Sequence, residues 1–356
     1  MTLQEVFGIE LPIIQAPMAG VQGSALAVAV TNAGGMGSLP CAMLGPDAMR
    51  KELAAITSQT RGRPFNVNFF CHVPPKPDPE REAAWRRLLS PYYKEYGVDP
   101  DTIPVGPGRA PFSHDAADVL SEFKPPVVSF HFGLPSSELL ARLRAWNPII
   151  LSSATTVEEA RWLEAQGVDA VIAQGLEAGG HRGHFLSGDL NLQLGTFALV
   201  PQIIREVNVP VIAAGGIADA QGVAAALALG AAGVQIGTAY MLCPEATTGP
   251  VHRAALRSES SRRTAVTNLF SGGPARGIMN RVMRELGPLN DLAPAFPLAA
   301  AAMAPLRTKA EAAGSGDFSP LWSGQNATGC REVPAAELTR ELALRVESDA
   351  FGGGSG

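Results

Sequence analysis

The feature that most constrains this chain is a short apolar run that recurs eight times. The runs lie at residues 13–18, 35–39, 65–70, 127–132, 149–154, 170–174, 211–214 and 234–240. Most are continuous rather than alternating, which predicts strands covered on both faces. Helical patterns separate several of them. Residues 24–32 form one, with Gly34 placed to end it. Residues 156–166 open with Thr-Val-Glu-Glu, putting acids in the first turn, and stop at Gly167. Residues 220–229 follow Asp219, a suitable N-cap, and stop at Gly230.

Strand–helix alternation repeated eight times predicts an α/β fold, a (β/α)8 TIM barrel. A doubly wound sheet ranks below it, because no GxGxxG follows the first strand. Two stretches exceed an ideal barrel. Residues 72–124, after the third strand, are Pro-rich and charged with a helical middle at 82–96; Tyr92, Tyr93 and Tyr96 there suit either a lid or ordinary packing. Residues 243–351 follow the eighth strand and carry helical patterns and a Gly-rich loop. The expected organisation is a barrel over 1–242, with the 72–124 insertion near its mouth. A C-terminal extension over 243–351 forms a lid or small subdomain completing the site, and 352–356 is set aside as a linker or tag.

Composition narrows the function. With 46% hydrophobic and 17% charged residues, the 356-residue chain can bury a large core and is not disordered. A net charge of −5 without a basic block argues against nucleic acid. Cys41, Cys71, Cys243 and Cys330 are far apart and form no CxxC pair, which fits a reducing cytoplasm, and Cys41, Cys71 and Cys243, which follow strand ends, read as small buried residues. No basic stretch precedes an apolar start, so no secretory signal is expected. Uncharged stretches at 11–46 and 220–244 are broken by Pro and Gly, so buried strand–helix units explain them better than lipid does.

In this fold the chemistry lies on loops after the strands. Gly215-Gly216 and Gly237-Thr238 follow the seventh and eighth runs, where phosphate sites form on backbone N–H groups. No Lys or Arg lies between Val211 and Pro244, so main-chain donors would carry that work. Gln174 ends the sixth run, and Glu177-Ala178-Gly179-Gly180-His181-Arg182-Gly183-His184 follows it. The glycines allow close approach to a planar ligand, and His181 is placed to take a proton or, once charged, to hold an anion. The His181/His184 spacing gives a weak metal pair with no evident third ligand, and no metal is expected. His131 ends the fourth run and reads equally as a core histidine or a pocket group.

The chain resembles the FMN-dependent nitronate monooxygenases, also called 2-nitropropane dioxygenases. The resemblance rests on Gln15-Ala16-Pro17-Met18-Ala19-Gly20, Pro64-Phe65-Asn66-Val67-Asn68, Ser129-Phe130-His131-Phe132-Gly133 and the Glu177–Gly183 stretch. Ala213-Ala214-Gly215-Gly216-Ile217-Ala218-Asp219, Gly237-Thr238-Ala239 and Pro274-Ala275-Arg276-Gly277 complete it, with an echo at Leu321-Trp322-Ser323-Gly324-Gln325. One departure is Gly273, where the resemblance leads to an Arg.

The resemblance implies FMN as cofactor. Ala16, Pro17 and Met18 would line its ring, Asn68 and Gln174 would bond its polar edge, and Gly179 and Gly180 would pack beside it. Gly215, Gly216, Gly237 and Thr238 would hold its phosphate. His181 would be catalytic, with His131 a second polar group. The implied reaction oxidises alkyl nitronates, and by extension nitroalkanes, with O2 to carbonyl compounds plus nitrite or nitrate, without a nicotinamide. The implied partners are a small nitronate and O2, with neither nucleic acid nor membrane, and a homodimer is left open. An NAD(P)H-dependent FMN reductase acting on quinones or enoyl thioesters is the first rival. A barrel that binds a phosphorylated ligand without chemistry is the second.

Overall fold

A computed structural model describes residues 2–103 and 109–351, the side chains of 346–351 excepted; the 352–356 linker expectation lies outside the described residues. The strands in chain order are β1 (Ile13–Gln15), β2 (Ser38–Pro40), β3 (Asn66–Phe70), β4 (Val127–His131), β5 (Ile149–Ala154), β6 (Ala170–Gln174), β7 (Gly180–His181), β8 (Val211–Ala214), β9 (Gly233–Ile236), β10 (Thr264–Thr267) and β11 (Ala275–Ile278). The helices are α1 (Leu3–Phe7), α2 (Ser24–Asn32), α3 (Pro46–Thr60), α4 (Pro79–Tyr96), α5 (His114–Phe123), α6 (Ser137–Arg144), α7 (Val157–Ala165), α8 (Thr196–Ile204), α9 (Ala220–Ala228), α10 (Pro250–Arg257), α11 (Arg281–Leu286), α12 (Ala299–Ala312) and α13 (Ala335–Phe351).

Eight parallel strands form the sheet β1-β9-β8-β6-β5-β4-β3-β2. Its edges meet through Met36, whose N–H donates to the Ile13 carbonyl and whose carbonyl accepts from Gln15 N, both at 2.9 Å. This is the expected (β/α)8 barrel. One apolar cluster fills the barrel: Ile14, Met36, Leu151, Ile172 and Ile212 pack together, and Leu3 and Phe7 of α1 join them. A larger cluster joins the strands to the surrounding helices.

Local signals set the helix boundaries. Thr156 caps α7 by accepting from Glu159 N, and Asp219 caps α9 by accepting from Gly222 N. The eighth strand is shorter than its apolar run, because at Gly237 the chain leaves extended geometry and enters a 3-10 turn over Thr238–Leu242.

The two additions are drawn differently from expectation. Helix α5 packs on α3 and α6 and belongs to the helical ring, so the insertion after β3 ends before it. Helix α13 packs on α9, α2 and β1, and its Leu338 and Leu342 are buried in the barrel's outer core. It is therefore the eighth barrel helix, and the preceding stretch is an excursion from the β9 end rather than a tail. The tail reading failed because the amphipathic pattern of α13 does not say which surface it covers. The two excursions meet: α4 packs on α12, and Trp85, Leu89 and Tyr93 share a second core with Met303, Leu306 and Phe318. The tyrosines are packing residues there, Tyr93 donating to the Ala302 carbonyl at 2.8 Å and Tyr92 to Glu285 at 2.7 Å. Among the described residues no helix is long and apolar enough to cross a membrane.

Candidate active site

A cavity opens at the C-terminal ends of the barrel strands. The β1 end contributes Ala16, Pro17 and Met18, β3 contributes Asn68, and β4 contributes His131. From β6 and its loop come Gln174, Gly179, Gly180 and His181. Gly215 and Gly216 follow β8, and Gly237 and Thr238 follow β9. The positions expected to touch the flavin or the substrate therefore line one chamber, although they are spread over most of the chain.

Gly215 and Gly216 have φ of 119° and 75°, a backbone only glycine adopts without strain, and this turn bends the chain from β8 toward α9. Gly179 serves close approach instead. A Cβ there would lie 2.5 Å from Gly324 N, so the β6 loop lies directly on the Ser323–Gly324 backbone.

The long excursion after β9 reaches the site through a three-stranded sheet, β10-β11-β7. Within it, Ala275 pairs with His181 and Arg276 with Gly180. The same excursion supplies Trp322, Gly324 and Asn326 to the cavity wall. Asn326 Nδ2 donates to the Gly216 carbonyl at 3.1 Å, and Gly324 N donates to Thr238 Oγ1 at 3.0 Å.

His181 sits at the centre of this arrangement and is almost fully buried. Its Nε2 lies 2.8 Å from Ser271 Oγ. The Ser271 hydroxyl also reaches the Gly273 carbonyl at 3.4 Å, so it can accept from Nε2–H while donating onward. The other ring nitrogen, Nδ1, then carries the lone pair. Rings of Phe296 and Trp322 flank the imidazole, with centroids 5.1 and 5.4 Å away. Burial, reinforced by the positive charge of Arg109, holds its pKa well below the usual histidine value, so the ring is neutral near pH 7.

His131 stands behind it. Its Nε2 donates to the His181 carbonyl at 3.1 Å, which leaves Nδ1 to accept from Ser153 Oγ at 3.0 Å. Burial pushes its pKa down to about 4. Gln174 holds the same loop from β6. Its Nε2 donates to the His181 carbonyl at 2.9 Å, and its Oε1 accepts from Gly183 N at 2.7 Å. Much of its bonding capacity thus goes to its own chain, leaving one Nε2 hydrogen for a ligand. Asn68 Nδ2 donates to Ser129 Oγ at 3.0 Å.

Two further groups anchor the loop from outside the cavity. Arg182 is fully buried and donates to Gln193 Oε1 at 2.6 Å and to the Gly175 and Gln174 carbonyls at 2.8 Å each. Buried Glu159 accepts from Phe185 N at 2.6 Å and from Thr155 N at 2.7 Å. His184 is absent from the cavity wall. Among the described residues no three His, Cys, Asp or Glu side chains converge as a metal site. Cys41 and Cys243 are buried, Cys71 and Cys330 are partly so, and burial raises the pKa of each thiol. At position 273, a side chain would meet the Phe296 ring, so Gly273 leaves room for that ring beside His181.

Sequence reasoning missed Arg109, Gln235 and Asn326 in the cavity wall and Ser271 against the His181 ring. Arg109 and Ser271 lie in stretches without periodicity or motif. Gln235 sits inside an apolar run. Asn326 follows the Leu321–Gln325 echo, whose resemblance was the one available signal.

The sequence profile described as nitronate monooxygenase matches residues 1–344. A nitronate monooxygenase of Pseudomonas aeruginosa is 45% identical over 343 residues, covering 95% of this chain and 96% of that protein. The crystal structure of nitroalkane oxidase from Streptomyces ansochromogenes superposes with a TM-score of 0.87 at 39% identity, over 98% of this chain and 99% of the other. FabK from Thermotoga maritima is more distant, with a TM-score of 0.71 at 29% identity, over 99% and 98% of the two chains. Profile, sequence and backbone agree over nearly the whole length, and the chain belongs to the nitronate monooxygenase family.

Proposed function

We propose that this chain oxidises alkyl nitronates, and nitroalkanes through their nitronates, with O2 to carbonyl compounds plus nitrite or nitrate, using FMN held in the cavity. The observation that carries this reading is the neutral, loop-pinned His181 facing a chamber walled by the glycine turns after β8 and β9.

The residues present fit a flavin. Nitronate monooxygenases are a family of flavoenzymes. Gln235 lines the cavity and its Oε1 is buried without a hydrogen bond, an acceptor waiting for a donor. Among the described residues the lining includes no Asp or Glu to repel a phosphate. In this reading Gly215, Gly216, Gly237 and Thr238 hold the phosphate, as main-chain donors beside a helix start do. Ala16, Pro17, Met18, Gly179 and Gly180 leave a flat, close-walled slot, and Asn68 and Gln174 border its polar edge. Bound FMN supplies the electron transfer between substrate and O2.

The chain's own residues supply the acid–base and positioning work. The neutral His181 takes the α-proton of a nitroalkane on Nδ1, while Ser271 accepts from Nε2–H and fixes that tautomer. An imidazolium that clamps the anion, the other sequence-based expectation, is disfavoured by the depressed pKa. His131 and Gln174 both grip the His181 carbonyl, which makes them positioning residues. Phe70 and Trp322 give the chamber apolar wall beside His181.

Anaerobic mixing of flavin-loaded protein with propionate 3-nitronate should bleach the flavin, whereas NADH and NADPH should leave it oxidised. Bleaching by NADPH alone would select the reductase reading, and a colourless protein that takes up no FMN would end the flavin assignment. His181→Asn should lower turnover of nitroethane by about a hundredfold or more with the flavin retained.

A further inference from the structure

Among the described residues, one formally charged side chain lines the cavity: Arg109. It is half-buried, and burial together with the nearby Arg307 lowers the pKa of its guanidinium. Its carbonyl is bonded to His72 Nε2 at 3.2 Å, but its side chain has neither a hydrogen bond nor a carboxylate partner among the described residues. Arg182 and Arg276 behave differently, each bonding its guanidinium to acceptors of the chain itself. A half-buried guanidinium in the cavity wall, with no acceptor from the described residues, keeps its donors free for one that enters the chamber.

The imidazoles do not compete for that acceptor. His72, His131 and His181 are all pushed toward the neutral form, and Arg109 is the foremost charged neighbour acting on His181. An anion entering the chamber therefore meets a single full positive charge, and meets it beside His181. A guanidinium is a planar fork, and nitronate and carboxylate groups are both planar with two oxygens.

We propose that Arg109 is the anion-recognition and specificity residue of this cavity, gripping a planar two-oxygen anion of the substrate: the nitronate group itself or a carboxylate at its far end. The inference rests on the nitronate reading above.

Arg109→Gln and Arg109→Lys, loaded with FMN, are compared with the unaltered protein on ethyl nitronate, propionate 3-nitronate and neutral nitroethane. In Arg109→Gln the KM for nitronate should rise about tenfold to a hundredfold, the worth of one charge-assisted pair, with kcat less affected. The KM for nitroethane and the flavin content should hold, and Arg109→Lys should recover part of the loss. Equal rises for both nitronates identify the nitronate group as the bound anion. A rise confined to propionate 3-nitronate identifies the carboxylate. Unchanged KM values, an equal rise for nitroethane, or loss of flavin would overturn the proposal. Nitrite titrated into the flavin-loaded proteins and followed by the flavin spectrum gives a second readout without turnover. It should bind the unaltered protein more tightly than Arg109→Gln. Equal binding counts against Arg109, whereas an unaltered protein inactive on every nitronate counts against the underlying reading.

Discussion

Arg182 offers the sharpest test of how the His181 loop is held. Its guanidinium is sealed from water, and three of its donors reach Gln193 Oε1 and the Gln174 and Gly175 carbonyls at 2.6–2.8 Å. Lysine keeps the charge but concentrates its donors at one point, so it can replace only part of this fork. Two lost bonds from a charged donor, at about 1.5–3 kcal/mol each, predict that Arg182→Lys destabilises the protein by about 3–6 kcal/mol. With an unfolding entropy of about 2.1 cal/mol/K per residue, that is a Tm lower by roughly 4–8 °C. Thermal unfolding followed by circular dichroism measures it. Because the carbonyl acceptors belong to Gln174 and Gly175, and Gln174 grips His181, activity on nitroethane should fall along with stability. A Lys variant that melts within about 1 °C of the parent would show that the fork does not anchor the loop.

Other consequences follow from the same geometry. Gly179→Ala puts a methyl group 2.5 Å from Gly324 N, backbone against backbone, so it should cost about 1–3 kcal/mol and reduce flavin retention, as unfolding and absorbance at the flavin band would report. Gln235→Leu removes a buried oxygen that lacks a partner, so it should leave the flavin-free protein no less stable while weakening FMN binding about fivefold to tenfold in a fluorescence titration. The neutral His131 makes stability fall in acid. Between an unfolded pKa near 6.5 and a folded value of about 4, the unfolded chain binds more protons, so stability rises with pH across that window and falls as pH drops through it. His131→Asn should flatten that part of a denaturation series measured from pH 7 to pH 4.

By itself the sequence determined the barrel and the outline of its site. Eight apolar runs with helix caps such as Thr156 and Asp219 are local signals, written in residue type and spacing, and they survive without knowledge of neighbours. Glycine turns such as Gly215-Gly216 were legible for the same reason, since a positive φ restricts the residue at that position alone. The tertiary structure decided what depends on contacts between distant segments. It assigned α13 to the barrel and α5 to the helical ring, because an amphipathic face does not name its partner. Pairing of β11 with β7 brought Ser271 to His181 across 90 residues of chain, and folding of the insertion placed Arg109 in the cavity. The protonation state of His181 belongs there too: a ring nitrogen is neutral or charged according to how much water and which charges surround it, and that environment exists only once the chain has closed around it.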